Sequence, residues 1–154
     1  MKIPRRATHL TAIAAIAALT ACAAQRVRNA PYRERPDSIT PGSLLGPFSG
    51  RVIDAASGDP VAGALVYATW SFQAGYGLTT PAGHHEAIAS TDANGKYEIP
   101  ALEDGPGGGS GRITEFVLVI YKRGYVGYRS DRRFRDLGPR RDFSQNQNRV
   151  TLER

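Results

Sequence analysis

Beyond residue 47 the chain alternates apolar and polar positions in short runs, with no helical stripe. The clearest unit is SGRVIDAASGDPVAGALVYATW at 49–70. It predicts a strand over 50–54, a tight polar turn over 55–59, and a second strand over 61–70. Val52 and Ile53 are β-branched, and Ser57, Gly58, Asp59 and Pro60 supply the turn chemistry. Pro60 suits the turn exit because its φ is fixed and it lacks an N–H. Gly63 and Ala64 keep the backbone slim where the second strand enters the core, and Val66 and Trp70 fill one face at period two.

Residues 71–83 show no strand pattern and read as a glycine-containing insertion. HHEAIAST at 84–91 predicts a strand, and DANG at 92–95 a hairpin turn, since Asn94-Gly95 readily takes positive φ. In KYEIP (96–100) Tyr97 and Ile99 face inward. The loop EDGPGGGSGR (103–112) leads to FVLVIY at 116–121, which is apolar on both faces and therefore belongs in the centre of a sheet. Residues 129–148 look irregular, and RVTLE (149–153) closes the chain with Val150 and Leu152 inward. Strands at regular spacing with Gly/Pro turns predict an all-β sandwich.

The first 22 residues have a different pattern. Lys2, Arg5 and Arg6 precede an apolar run from Leu10 to Ala21, which ends in small residues and Cys22. This is the layout of a secretory signal, and the run is too short to span a bilayer about 30 Å thick. Leu19-Thr20-Ala21-Cys22 resembles a bacterial lipobox. The resemblance implies cleavage before Cys22, diacylglyceryl transfer to its sulfur, and acylation of the new amino group. Each buried CH₂ contributes about 0.8 kcal/mol, so two or three chains on one residue anchor the protein stably. Ala23 and Ala24 follow, with no Asp. By resemblance to lipoproteins of Gram-negative bacteria, that favours the outer membrane. From 23 to 46 the chain carries Pro31, Pro36 and Pro41 among alternating charges, and it reads as a semi-extended tether reaching about 27 Å. The expected organisation is a signal over 1–21, a lipidated Cys22 with its tether over 22–46, and a sandwich over 47–154.

Composition alters this picture little. The formal charge of +6 falls to roughly +3 once Lys2, Arg5 and Arg6 leave with the signal, since 17 basic then face 14 acidic residues. Cys22 is the sole cysteine, so no intrachain disulfide is available to an exported chain.

Three segments in order, GRVIDAASGDPVAGALV (50–66), STDANGKYEIP (90–100) and LVIYKRGY (118–125), resemble the carboxypeptidase regulatory-like domain, a transthyretin-like (prealbumin-type) sandwich. The resemblance implies a Greek-key sandwich of about seven strands with no chemistry of its own. Such modules act as folding, spacing or docking units, so the expected role is a non-enzymatic, membrane-anchored lipoprotein that presents the sandwich for envelope structure or protein–protein contact. The departures from the family's short connections, 71–83 and 126–148, are where a particular function is expected.

Each candidate site has a plainer alternative. His84-His85-Glu86 suggests zinc, but neighbours on a strand point to opposite faces and zinc needs three or four convergent ligands. No metal and no cofactor is expected. Asp92, Asn94 and Gly95 begin like a calcium loop, but Pro100 and a strand intervene before Glu103, so a hairpin turn is the better reading. The transthyretin fold also carries hydroxyisourate hydrolase, whose first strand holds a catalytic His. Here that position is Arg51, and Tyr128-Arg129-Ser130 lacks the glycine of that family's closing motif. No general base stands in for the imidazole, and no GxSxG occurs, so a non-enzymatic protein is expected.

The unusual surface is YRSDRRFRDLGPRRDF (128–143). Arg129, Arg132, Arg133, Arg135, Arg140 and Arg141 are interleaved with Tyr128, Phe134 and Phe143, while Asp131, Asp136 and Asp142 offset half the charge. With Trp70, Phe72 and Tyr76, these residues form the candidate surface for an anionic glycan or an acidic envelope protein, through bidentate guanidinium contacts. A nucleic-acid partner is not expected of an exported lipoprotein.

Overall fold

The computed structural model describes residues 35–75, 78–103 and 111–154, all within one compact unit, Arg33–Arg154. Cys22, Tyr76 and the greater part of the expected tether lie outside the described residues.

Among the described residues, seven strands form two sheets. They are β1 (Phe48–Asp54), β2 (Leu65–Ala74), β3 (Thr80–Ser90), β4 (Lys96–Ile99), β5 (Arg112–Tyr121), β6 (Tyr128–Arg129) and β7 (Asn148–Leu152). One sheet has the order β4-β1-β7 and the other β3-β2-β5-β6, which is the all-β sandwich expected. β1 pairs antiparallel with β4 and parallel with β7, so residues 50 and 51 have cross-strand neighbours on both sides. β5 lies inside the four-stranded sheet, and Phe116, Val117 and Leu118 are buried in succession on it, as its apolar run requires.

The core sits between the sheets. Val66, Ala68, Trp70 and Phe72 project into it from β2, Phe116, Leu118 and Ile120 from β5, and Val150 and Leu152 from β7. Phe48 stacks on Phe116 with ring centroids 4.6 Å apart, and Trp70 leans on Phe116 at 5.3 Å. Such offset and tilted arrangements are favoured by the ring quadrupoles.

Three expectations are corrected. The second strand begins at Leu65, because Gly63 adopts φ +63° and Val61–Ala64 form a turn. Thr91 fixes that turn: its hydroxyl donates to the Val61 carbonyl at 2.7 Å and accepts from the Ala64 N–H at 2.8 Å. Residues 71–83 are largely not an insertion. β2 and β3 run on as a hairpin past Ser71↔His84 and Phe72↔Gly83, with a bulge after Phe72. Backbone pairing, which small side chains do not advertise, carries the ladder here.

The tether also ends earlier than expected. Residues 36–45 pack on the sandwich through the 3₁₀ turn Pro41–Leu45, which buries Leu44. The Trp70 indole N–H donates to the Leu44 carbonyl at 2.6 Å, the Ser38 hydroxyl to the Phe143 carbonyl at 2.6 Å, and the Leu102 N–H to the Leu45 carbonyl at 2.8 Å.

Candidate functional site

The aromatic half of the expected surface is core. Trp70 and Phe72 are buried because they alternate inward along β2 with Val66 and Ala68. Neither is available to stack on a sugar. Tyr128 and Phe143 are buried as well, which leaves Phe134 as the exposed aromatic of the arginine-rich segment.

That segment is not irregular. It is a folded clasp whose charges are paired largely within itself. Arg129 donates through Nε and Nη2 to the two oxygens of Asp131, at 2.9 and 3.1 Å, and the Asp131 carboxylate is fully buried. Arg132 Nε lies 3.7 Å from the same carboxylate. Arg133 forks onto Asp136 at 3.1 and 2.8 Å, raising its own pKa and lowering that of Asp136, whose Oδ1 also accepts the Gly138 N–H. Arg140 lies over the Tyr128 ring at 4.2 Å, donates to the Arg129 carbonyl at 2.7 Å, and meets Asp142 at 3.1 Å. A bridge between Arg132 and Pro139 closes the loop. A shallow cleft of about 440 Å³ over Arg133, Pro139, Arg141 and Asp142 is therefore largely neutralised. Arg135 and Arg141 are exposed, with no carboxylate within 4 Å among the described residues. The segment mainly closes the β6 edge of the sandwich and presents little free cation.

A second cluster fixes the first turn. Asp54 is buried at the end of β1, and its Oδ1 accepts the Ala56 and Ser57 N–H groups at 2.8 and 3.1 Å. Its Oδ2 accepts the Tyr125 hydroxyl at 2.8 Å and Arg154 Nε at 3.0 Å. These bonds, the Tyr125 hydroxyl foremost, hold the Asp54 carboxyl down at about 2 against an ordinary 3.8. A depressed native pKa contributes stability in full above the unfolded value and loses it as the pH falls toward the native one. Stability should therefore drop between about pH 4 and pH 2. Tyr125→Phe should flatten that drop in acid-titrated thermal unfolding, and an unchanged profile would refute the role given to Asp54.

The exposed cations that stand together without a carboxylate partner among the described residues lie elsewhere, on the outer face of the three-stranded sheet. In each of its strands a basic residue directly precedes an inward core residue: Arg51 before Val52, Lys96 before Tyr97, and Arg149 before Val150. Period-two alternation turns all three outward. The register then sets them side by side, since Arg51 is the cross-strand neighbour of Lys96 on one side and of Arg149 on the other. With strands about 4.8 Å apart, the row spans about 10 Å. No carboxylate comes within 4 Å of any of the three among the described residues. Arg51 Nε donates to the Asn94 carbonyl at 3.0 Å, which leaves its terminal nitrogens free to point outward.

The next row along the sheet is Glu98 beside Ser49, with Gln147 adjoining, all polar. Two clefts meet at Arg51. One of about 530 Å³ lies over Ser49, Lys96, Glu98 and Gln147, and one of about 310 Å³ lies over Ile53, Gln147 and Arg149. Asp92 and Glu98 border the first cleft, but Asp92 commits its Oδ1 to the Asn94 and Lys96 N–H groups. The opposite outer face, on the four-stranded sheet, is mixed: Leu65, Ile88 and Tyr121 are exposed on it beside His84, Glu86 and Glu115.

Asp92 thus caps the β3–β4 hairpin. His84 and His85 fall on opposite faces of β3, with the His85 ring 5.7 Å from that of Trp70. No group of three His, Cys, Asp or Glu placed to hold a metal occurs among the described residues. The basic row escaped a residue-by-residue reading because each member alone is an ordinary outward strand position, and only the register unites them. Compared with protein-family models, curated proteins and solved structures, the chain matches none.

Proposed function

We propose that this protein is a lipid-anchored, non-enzymatic binding module of the cell envelope, moored by Cys22 and presenting its sandwich for recognition. The binding reading rests on one observation: an exposed sheet face carries three adjacent cations with no carboxylate within 4 Å among the described residues. Like charges directly opposite on a sheet are destabilising, so a fold that keeps them is consistent with an anionic partner. The mooring reading rests on Leu19-Thr20-Ala21-Cys22 at the end of the signal-like run, and Ala23-Ala24 supports delivery to the outer membrane. The sandwich itself is proposed to be of the carboxypeptidase regulatory-like kind. In support, the quoted segments at 50–66, 90–100 and 118–125 coincide with β1 and the turns after it, the β3–β4 hairpin, and the end of β5.

Labelled palmitate supplied to cells should enter the wild-type chain, which should sediment with the membranes. Cys22→Ser should be unlabelled and should shift to the soluble fraction. An unlabelled, soluble wild-type protein would defeat the mooring.

A further inference from the structure

We propose that the outer face of the three-stranded sheet binds an acidic polysaccharide, with its carboxylates along the row Lys96, Arg51 and Arg149. This deepens the binding reading above and rests on it, but it does not depend on the lipid anchor.

Arg129, Arg132, Arg133, Arg140 and Arg154 each have a carboxylate within 4 Å, whereas Lys96, Arg51 and Arg149 have none among the described residues. Their register brings them together, and strand spacing of about 4.8 Å holds them in a line. A line of cations fits a linear polyanion that crosses the strands. Planar guanidinium groups, two of the three, match carboxylates bidentately.

The neighbouring row narrows the ligand class. Glu98, Ser49 and Gln147 offer a carboxylate, a hydroxyl and an amide about one strand residue-pair away. Those groups hydrogen-bond hydroxyls, so the face sets a row of cations beside a row of hydrogen-bonding groups. A polymer of sugar acids carries groups for both rows on every unit. A bilayer holds its anionic headgroups in one plane and brings them against Glu98 and Asp92 at the border of the same cleft, whereas a flexible polymer can turn hydroxyls toward that border and carboxylates toward the cations. The sugar polymer is the better fit.

The test uses the purified full chain in neutral detergent, with polygalacturonate oligomers as the probe. Neutral dextran, phosphatidylglycerol vesicles and single-stranded oligonucleotide serve as comparison ligands. Saturable binding of the polyuronate that weakens with added salt is expected, with none to dextran. Arg51→Thr with Arg149→Thr should weaken it by about tenfold or more, whereas Arg135→Thr with Arg141→Thr, an equal loss of charge from the clasp, should change it less than twofold. Arg149→Thr alone should raise the thermal midpoint by about 1–3 °C, because it relieves repulsion within the row, so loss of binding would not reflect unfolding. Absence of polyuronate binding, equal losses in the two double variants, or preference for vesicles or oligonucleotide would each overturn the proposal. None of these outcomes bears on whether Cys22 takes up palmitate, so this inference and the mooring fail separately.

Discussion

Trp70→Ala is expected to lower the stability of the sandwich by ~3–5 kcal/mol, the range for removing a large buried aromatic. Trp70 is fully buried and lies against Phe48 and Phe116. Its indole N–H is also the partner of the Leu44 carbonyl, which draws residues 41–45 onto the core. Alanine removes the ring, opens a cavity, and leaves that carbonyl without its donor. Trp70→Phe separates the two effects, because it keeps most of the apolar volume and loses the hydrogen bond, at about 1–3 kcal/mol. Trp70 is the sole tryptophan, so urea unfolding of the variants must be followed by circular dichroism. A loss below about 1 kcal/mol for Trp70→Ala would contradict its place in the core and return it to the surface, where stacking on a ligand would be its role.

The contrast between those two roles shows where the sequence was legible. Strands with clean alternation declared themselves: Tyr97 and Ile99 in β4, and Val150 and Leu152 in β7, are inward as their spacing requires. So did the all-apolar centre of β5. Trp70 was legible as an inward strand position in step with Val66, but Phe72 fell beyond the expected strand end, because Gln73, Ala74 and Gly75 follow it as a polar, small-residue stretch. Residues 36–45 were harder still. Their prolines and charges are those of a spacer, yet Pro36 and Leu44 are buried and Ile39 packs on the core, Leu44 beside a contact that the position of Trp70 dictates.

The arginine segment was legible in part. The spacings Arg129 to Asp131, Arg133 to Asp136 and Arg140 to Asp142 are short enough for local pairing, and all three pairs form. The burial of the Asp131 carboxylate, which turns a charged loop into a clasp, depends on how residues 128–131 fold against β5 and could not be read from spacing. The basic row inverts the case. Its residues are unremarkable singly, and the parallel pairing of β1 with β7 that unites Arg51 and Arg149 joins segments nearly a hundred positions apart.

Gly50→Ala, just beside that row, should cost about 3 kcal/mol, the upper part of the range for overpacking. Gly50 does not have positive φ, so the requirement is one of space. It pairs with Tyr97 on one side and Asn148 on the other. A methyl group there would run into the Asn148 carbonyl oxygen and come within 2.7 Å of the Tyr97 ring. The ring cannot retreat without strain, because its hydroxyl accepts from the buried Asn148 amide at 3.1 Å. Gly58→Ala makes the useful comparison: at φ +77° with nothing within 4 Å, it should cost only the left-handed strain of about 1–2 kcal/mol. Adding Tyr97→Leu to Gly50→Ala should recover part of the loss and leave the remainder, since the Asn148 carbonyl belongs to the β7 backbone and stays in place. Full recovery in that double variant would mean that the ring alone sets the space at Gly50. A Gly50→Ala chain within 0.5 kcal/mol of wild type would mean that β1 does not lie between β4 and β7 in this register, and the basic row would lose its geometry with it.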